Sequence, residues 1–415
     1  MKPSDLVPRP VAQTLRKLAA DAGLDVAGGR VRRTSSRFCL GVEHGDYNGT
    51  ELFGVGTDRF IWMAFKPNTS GRVRLFSGNF PGDGVVEFRP GEPPAPKSPG
   101  IADTWARFAF GADFILRREG FRPDAGFDAV LHGNIPGGGM SRSASLTLNL
   151  LHTAIELNRL QLGRDKMRII DLAQAVENDY IGSPCGQLDQ IMIHFAKAGM
   201  GTHYNPATRA IKYVPLGAAA PDFRIVSLDT GTVRPGLEKS TYKLRRAECD
   251  ELAAVAGKAF DFKQLADVRD EKLLAAVLGK FGPTHPGHCD RLRYIYAAQK
   301  RFGQMLKAWR KGDVETLGAC FRADGIGLRD LYRISGPELE TMCDIARTVP
   351  GVLGERMLGG GDKGAAGALV AASAVPALRR AVSRAYPLAH PEYAARWAVH
   401  DCRIVDGIVA GAFAG

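Results

Sequence analysis

Residues 132–149 read HGNIPGGGMSRSASLTLN, and their types suit an anion. Gly137, Gly138 and Gly139 let backbone N–H groups approach a phosphate closely, and a helix starting just after them would turn its positive end toward it. Ser141 and Ser143 add hydroxyls able to bond phosphate or ligate Mg²⁺. Arg142 stands between them as an extra cation. The spacing is neither G-x-x-x-x-G-K-[ST] nor G-x-G-x-x-G. Taken alone, the stretch equally suits a plain turn with a serine cap.

Two further groups carry chemistry. RFCLGVEHGDYNG sets Glu43, His44 and Asp46 within four residues. Polar side chains of both hydrogen-bonding senses packed so densely suit a polyhydroxylated ligand, although a solvated hairpin loop would also hold them. ENDYIGSPCGQLDQ places Glu177 on a helix and Asp189 twelve residues later, after a glycine turn. Such a pair can divide metal binding and catalysis between its members, while either acid alone would suit a surface. The seven cysteines form no C-x-x-C pair and read as free thiols of a reducing compartment. HPGHC (His285, His288, Cys289) lacks the second half of a zinc site.

These groups need a frame. Residues 30–66 alternate apolar and polar positions around the turn GDYNGT and predict two strands. FDAVLHGNI predicts the strand before the glycine loop, flanked by helices in DTWARFAFGADFILRREG and SLTLNLLHTAIELNRLQL. In the second of these, Leu146, Leu150 and Leu157 share a face with Leu151 and Ala154, the period of a core-facing helix. Strand, glycine loop, helix is the order a phosphate-binding turn requires. The N-terminal stretch carries Val11, Leu15 and Leu18 on one face of a short amphipathic helix and lacks the apolar core of a signal peptide. The chain is 415 residues long, enough for two domains, with a boundary expected near LGAAAPD at 216–222. The second half reads as mostly helical and closes on another glycine cluster, GERMLGGGDKGAAGALV, and a last strand near 402–410.

Apolar residues make up 45% and charged residues 24%, as in globular proteins, and no run has the roughly 20 apolar residues of a membrane span. A cytoplasmic location and no membrane partner follow as the default expectation. Net charge is +11, but the basic residues are interspersed with acids and form neither a tail nor an aromatic-interleaved stripe, so nucleic acid is not expected as a partner.

In order, SRFCLGVEHGDYNG, PGGGMSRSAS, ENDYIGSPCGQLDQ and GERMLGGGDKG resemble the four motifs of the GHMP kinases, and of galactokinases among them, over roughly 35 to 410. The resemblance implies a two-domain α+β fold. Residues 1–220 would form a mixed-sheet domain of the ribosomal-S5 type and 221–415 an α/β domain, the last strand returning to the first and the active site lying between them. It implies a sugar 1-kinase using ATP, with GTP left open, and Mg²⁺. Asp189 would face the anomeric hydroxyl with Arg37 beside it. Glu43, His44 and Asp46 would bind sugar hydroxyls, with Gly186 and Tyr242 closing the pocket. Ser143 and Glu177 would ligate Mg²⁺. Pro136, Gly137, Gly138, Gly139, Met140 and Ser141 would form the phosphate loop, with Ser143, Gly360 and Gly361 lining the nucleotide and Trp105 against its base. Because a loose phosphoryl-transfer transition state needs positioning and charge neutralisation above all, a weakly basic aspartate suffices.

The sequence also departs from the family pattern. Arg142 replaces a serine, Asp362 and Lys363 replace Phe-Gly, TSSR replaces A-P-G-R, and LDTGTVRPG replaces N-S-N-V-R-H. The added cations Arg142, Lys363 and Arg234 suit a second phosphate on the sugar. The expectation therefore leans to a modified galacto-configured sugar, such as an octose 8-phosphate of antibiotic biosynthesis, over free galactose. A non-catalytic sensor of sugar and nucleotide is the remaining alternative.

Overall fold

The structure is a computed structural model that describes residues 6–162, 164–233 and 240–413. Arg234 lies outside the described residues. The chain opens with α1 (Arg9–Ala22), followed by β1 (Arg30–Gly41), β2 (Leu52–Pro67), β3 (Val73–Ser77) and β4 (Val86–Phe88). Next come α2 (Arg107–Arg118), β5 (Phe127–Gly133), α3 (Arg142–Leu157), α4 (Lys166–Ala175), a π-helical turn (Val176–Ile181) and α5 (Leu188–His194). β6 (Met200–Asn205), β7 (Ala210–Pro215) and β8 (Phe223–Asp229) lead to a helical run. That run holds α6 (Thr241–Phe260), α7 (Glu271–Phe281), α8 (Pro286–Lys311), α9 (Val314–Gly327) and α10 (Pro337–Arg347). The chain closes with β9 (Val352–Met357), β10 (Ala365–Ala371), α11 (Val375–Ala389), β11 (Ala398–Cys402) and β12 (Ile408–Ala412).

The strands form two sheets. The larger has the order β12-β1-β2-β5-β3-β4, with β6 joining the first half of β2 and β7 joining β6. The smaller has the order β11-β8-β10-β9, all antiparallel. The last stretch of chain divides between them: β11 pairs with β8 in the smaller sheet, and β12 crosses back to pair with β1. Among the described residues no helix is long and apolar enough to cross a membrane. All seven cysteines are free and buried.

α3 is the element that the glycine loop feeds, and its docking differs from a simple apolar stripe. Leu146, Leu150 and Leu151 are buried as the periodicity predicts, while Ala154 and Leu157 are only partly covered. A polar stripe at Ser145, Asn149 and Thr153 is completely buried on the side facing β1. Every second residue of β1 should face solvent if one face were wet, yet after Arg30 the whole strand is buried, polar residues included. The two polar sets bond to each other. Ser145 Oγ donates to Thr34 Oγ1 at 2.8 Å, Asn149 Nδ2 donates to the same oxygen at 3.3 Å, and Arg32 bonds Thr153 and Glu156. Hydrogen bonds have direction where apolar packing has none, so this seam fixes the register of α3 on β1.

The long helix α8 packs against the larger sheet. Near its C-terminal end Trp309 Nε1 donates to the Val214 carbonyl of β7 at 2.9 Å, and near its middle the Tyr294 hydroxyl donates to the Glu43 carbonyl at 3.1 Å. The seam makes a prediction: Ser145→Ala removes one buried donor and should lower unfolding free energy by about 1 kcal/mol. Urea denaturation checks it, with an unchanged denaturant slope expected.

Candidate active site

One cavity of about 470 Å³ lies between the sheets. Its floor is set by Arg37 of β1, which is 2% exposed. Arg37 Nε donates to Asp189 Oδ1 at 2.7 Å, and its Nη1 donates to the Gly139 carbonyl at 2.6 Å. A guanidinium out of water demands such partners. Burial works against its charge, but Asp189 and Glu43 outweigh burial and raise its pKa. β1, the glycine loop and α5 thus meet at one group.

Glu43, His44 and Asp46 form one end of the cavity with Gly186 and Tyr242. Glu43 is 2% exposed; its Oε1 accepts the Gly359 N–H at 2.9 Å and stands 3.7 Å from Arg356. Burial raises its pKa, opposed by Arg37 and Arg356. His44 sits among three tyrosine rings, Tyr47, Tyr242 and Tyr332, and its Nδ1 lies 3.0 Å from the Tyr47 hydroxyl. Asp46 Oδ2 accepts the Leu188 N–H at 3.0 Å, which ties the motif to the first turn of α5. A Cβ on Gly186 would lie 1.9 Å from that carboxylate oxygen, so only glycine lets the two stretches approach.

The glycine loop leads to Ser141, which holds φ 62 at the start of α3. Gly138 faces Gly364 of the second glycine cluster so closely that a Cβ would come within 2.8 Å of its Cα. Thr232 Oγ1 accepts the Gly364 N–H at 2.8 Å, and Thr230 N–H donates to its carbonyl at 2.9 Å. The changed LDTGTV stretch is therefore the clasp that holds the second loop over the first. Asp362 is explained likewise: its Oδ2 accepts the Thr241 N–H at 2.8 Å at the start of α6. Sequence reasoning missed Thr230, Thr232 and Arg356. The TGT run was its visible signal, since paired hydroxyls around a glycine suit a backbone clamp.

The residues expected to hold Mg²⁺ fit an oxygen-ligated cation. Glu177 sits on the π-helical turn, is 4% exposed, and lies beside the Ser143 hydroxyl. Carboxylate and hydroxyl oxygens are the hard donors Mg²⁺ takes when substrate phosphates complete its shell. The buried Ser141 Oγ and Trp105 Nε1 both line the cavity and have no hydrogen-bond partner among the described residues, as sites waiting for a polar ligand would.

Four expected site residues stand elsewhere. Pro136 and Met140 are buried in the loop's supporting layer and do not line the cavity; nor does Gly361, where a Cβ would meet the Ile334 carbonyl at 2.2 Å. Lys363 also lies off the cavity and pairs with Glu338 at 3.6 Å, because the αL turn at Asp362 carries it outward. Arg142 lines the cavity but on the side away from the sugar-motif residues, its guanidinium 5.2 Å from the centre of the Phe80 ring. Gly360 lines the cavity with Gly359.

Burial, then the neighbouring Asp189, raise the Glu177 pKa to about 7. A carboxylate whose folded pKa lies above its unfolded one destabilises the fold as pH rises from the unfolded value through about 7. Glu177→Gln should therefore raise the melting temperature of the metal-free protein at pH 8 relative to wild type and leave it nearly unchanged at pH 4. Thermal denaturation in a chelator checks this, and equal shifts at both pH values would contradict it.

Comparison with known proteins agrees with the geometry. The family model for the GHMP kinases N terminal domain matches residues 108–197. The chain is 31% identical over 380 residues to the galactokinase of Limosilactobacillus fermentum, covering 88% of this chain and 91% of that one. It is 32% identical over 356 residues to the galactokinase of Exiguobacterium sibiricum, covering 83% and 85%. Among solved structures, the Lactococcus lactis galactokinase complexed with galactose superposes with a TM-score of 0.86 at 28% identity, over 96% of this chain and 99% of that one. The Methanococcus jannaschii mevalonate kinase shares the fold at a TM-score of 0.62 and 15% identity, over 91% and 98%. The two sheets and the cleft between them are thus the two-domain GHMP kinase fold, and the chain belongs to the galactokinase family, an enzyme of the sugar 1-kinase class.

Proposed function

We propose that the protein transfers the γ-phosphoryl group of ATP to the anomeric hydroxyl of a neutral, galacto-configured sugar, galactose being the first candidate. The observation that carries the choice of a neutral sugar is the charge around Glu43, His44 and Asp46. Two carboxylates stand there, and the nearby cations among the described residues turn to protein oxygens: Arg37 to Asp189 and Gly139, the buried Arg356 to the Cys39 carbonyl behind Glu43 through its Nη2, and Arg246 to the Pro184 and Cys185 carbonyls. A second phosphate placed among them would meet the repulsion of two carboxylates. Of the three added cations that favoured a phosphorylated sugar, the two among the described residues lie elsewhere (Lys363 against Glu338, Arg142 against Phe80).

In this reading each residue has a defined task. Carboxylates accept hydrogen bonds from sugar hydroxyls, and Asp46, pinned by the Leu188 N–H, can accept only in a fixed direction. Such a fixed polar wall rejects the epimer whose hydroxyl points elsewhere, since buried acceptors would then stay unpaired. Asp189, oriented by Arg37, faces the anomeric hydroxyl and receives its proton as the O–P bond forms. The amides of Gly137 to Gly139 and the α3 terminus hold the phosphates in line. Ser143 and Glu177 would hold Mg²⁺, which would supply charge neutralisation for the phosphates.

Two measurements test this. A coupled ADP-release assay should show turnover with galactose and at least about a hundredfold lower kcat/KM with glucose; activity confined to sugars already bearing a phosphate would reject the neutral-sugar reading. Asp189→Asn should lower kcat by roughly a hundredfold or more with the melting temperature little changed, and near-normal turnover would remove Asp189 from its role.

A further inference from the structure

We infer that Arg142 is a specificity residue for the phosphate donor, gripping the phosphate chain of the bound nucleotide, and that it takes no part in recognising the sugar. The inference rests on the proposal that the glycine loop receives a nucleoside triphosphate. It goes beyond that proposal in giving a task to a side chain that replaces the family's serine.

Four observations carry it. First, Arg142 opens α3 as its first residue, so its side chain leaves the backbone where the loop's N–H groups converge. Second, among the described residues its guanidinium has no hydrogen bond and no ion pair; its contacts are the Phe80 ring at 5.2 Å and a longer-range attraction to Asp229. A partly buried guanidinium with unused donors is costly unless an anion completes it, and its fork matches phosphate oxygens. Third, Phe80 follows β3, whereas Arg37 lies on β1. In the sheet order β1-β2-β5-β3 these strands stand three spacings apart, a lateral distance of about 14 Å. The guanidinium is thus drawn toward the side of the cavity opposite Asp189. Fourth, the lining also includes Trp105, whose buried indole N–H has no hydrogen-bond partner among the described residues, and Asn79, whose amide group is committed to the Gly133 N–H and carbonyl. Arg107 also lines the cavity, but it donates to the Ala102 carbonyl at 2.9 Å and stands over the Phe108 ring, so Arg142 is the cation there whose donors stay unused among the described residues.

The aromatic ring explains why an arginine can stand in a place the family gives to serine. The Phe80 ring, 5.2 Å from the guanidinium carbon, gives the charge a favourable neighbour without using its N–H donors. A lysine there would keep the charge and lose the fork.

Calorimetric titration of the full-length protein with ADP and with adenosine, in the absence of sugar, tests this, together with the galactose KM. Arg142→Ser should weaken ADP roughly tenfold or more, leave adenosine binding unchanged, and leave the galactose KM unchanged. Arg142→Lys should recover part of the loss. Unchanged ADP affinity overturns the inference, as does an equal loss for adenosine, which would place Arg142 on the base. A raised galactose KM with intact ADP binding would return Arg142 to the sugar. If wild-type protein binds neither ADP nor ATP, the donor site itself is refuted, a result distinct from the others.

Discussion

The buried guanidinium of Arg37 is the point on which the rest of the site depends. It ionically bonds Asp189 of α5 and the carbonyl of Gly139 in the glycine loop, while Glu43 adds a second negative neighbour. Removing such a charge from water costs several kcal/mol, and only fixed partners offset it. The three stretches therefore cannot drift apart independently, since any gap between them strands a charge. Because one group binds both Asp189, proposed to face the acceptor hydroxyl, and the glycine loop, proposed to hold phosphate, the proposed acceptor and donor sites are set at a common distance before either ligand arrives.

Around that point the protein fixes geometry with polar contacts where a simple core would use apolar ones. α3 is keyed to β1 by Ser145, Asn149 and Thr34, so the start of the helix, and with it Ser143, has a defined height above Arg37. The second glycine cluster is clasped to the first by Thr230 and Thr232 through Gly364. Glu43 reaches across to the Gly359 N–H, joining sugar motif and second sheet. Each bond crosses between elements distant in the chain. Substrate and donor walls are thereby coupled through the backbone of the glycine loops, whose close approach tolerates no Cβ at Gly138 or Gly186.

Much of the site was legible in the sequence because local spacing carries it. Strand, glycines and helix must follow in that order for backbone amides to converge, and the Glu177-to-Asp189 stretch contains its own helix, turn and helix start. The directions of side chains were less legible. Arg142 and Lys363 both read as cations for a substrate, yet one turns to Phe80 and the other to Glu338, because tertiary neighbours choose the rotamer. Asp362 read as a lost phenylalanine and is a helix cap. The π-helical turn at Val176–Ile181, which sets the position of Glu177, has no signature in the ordinary helical period that precedes it. The buried polar stripe of α3 also escaped a reading that followed leucines alone.

The central claim is that Arg37 and Asp189 act as one unit, and a double-mutant cycle on turnover addresses it most directly. kcat would be measured for Arg37→Lys, Asp189→Asn and the double variant, with circular dichroism showing each folded. If the pair is a unit, the double variant should be no slower than the worse single one by more than about threefold, since the second substitution has nothing left to break. Losses that simply multiply would show two independent residues and contradict the account.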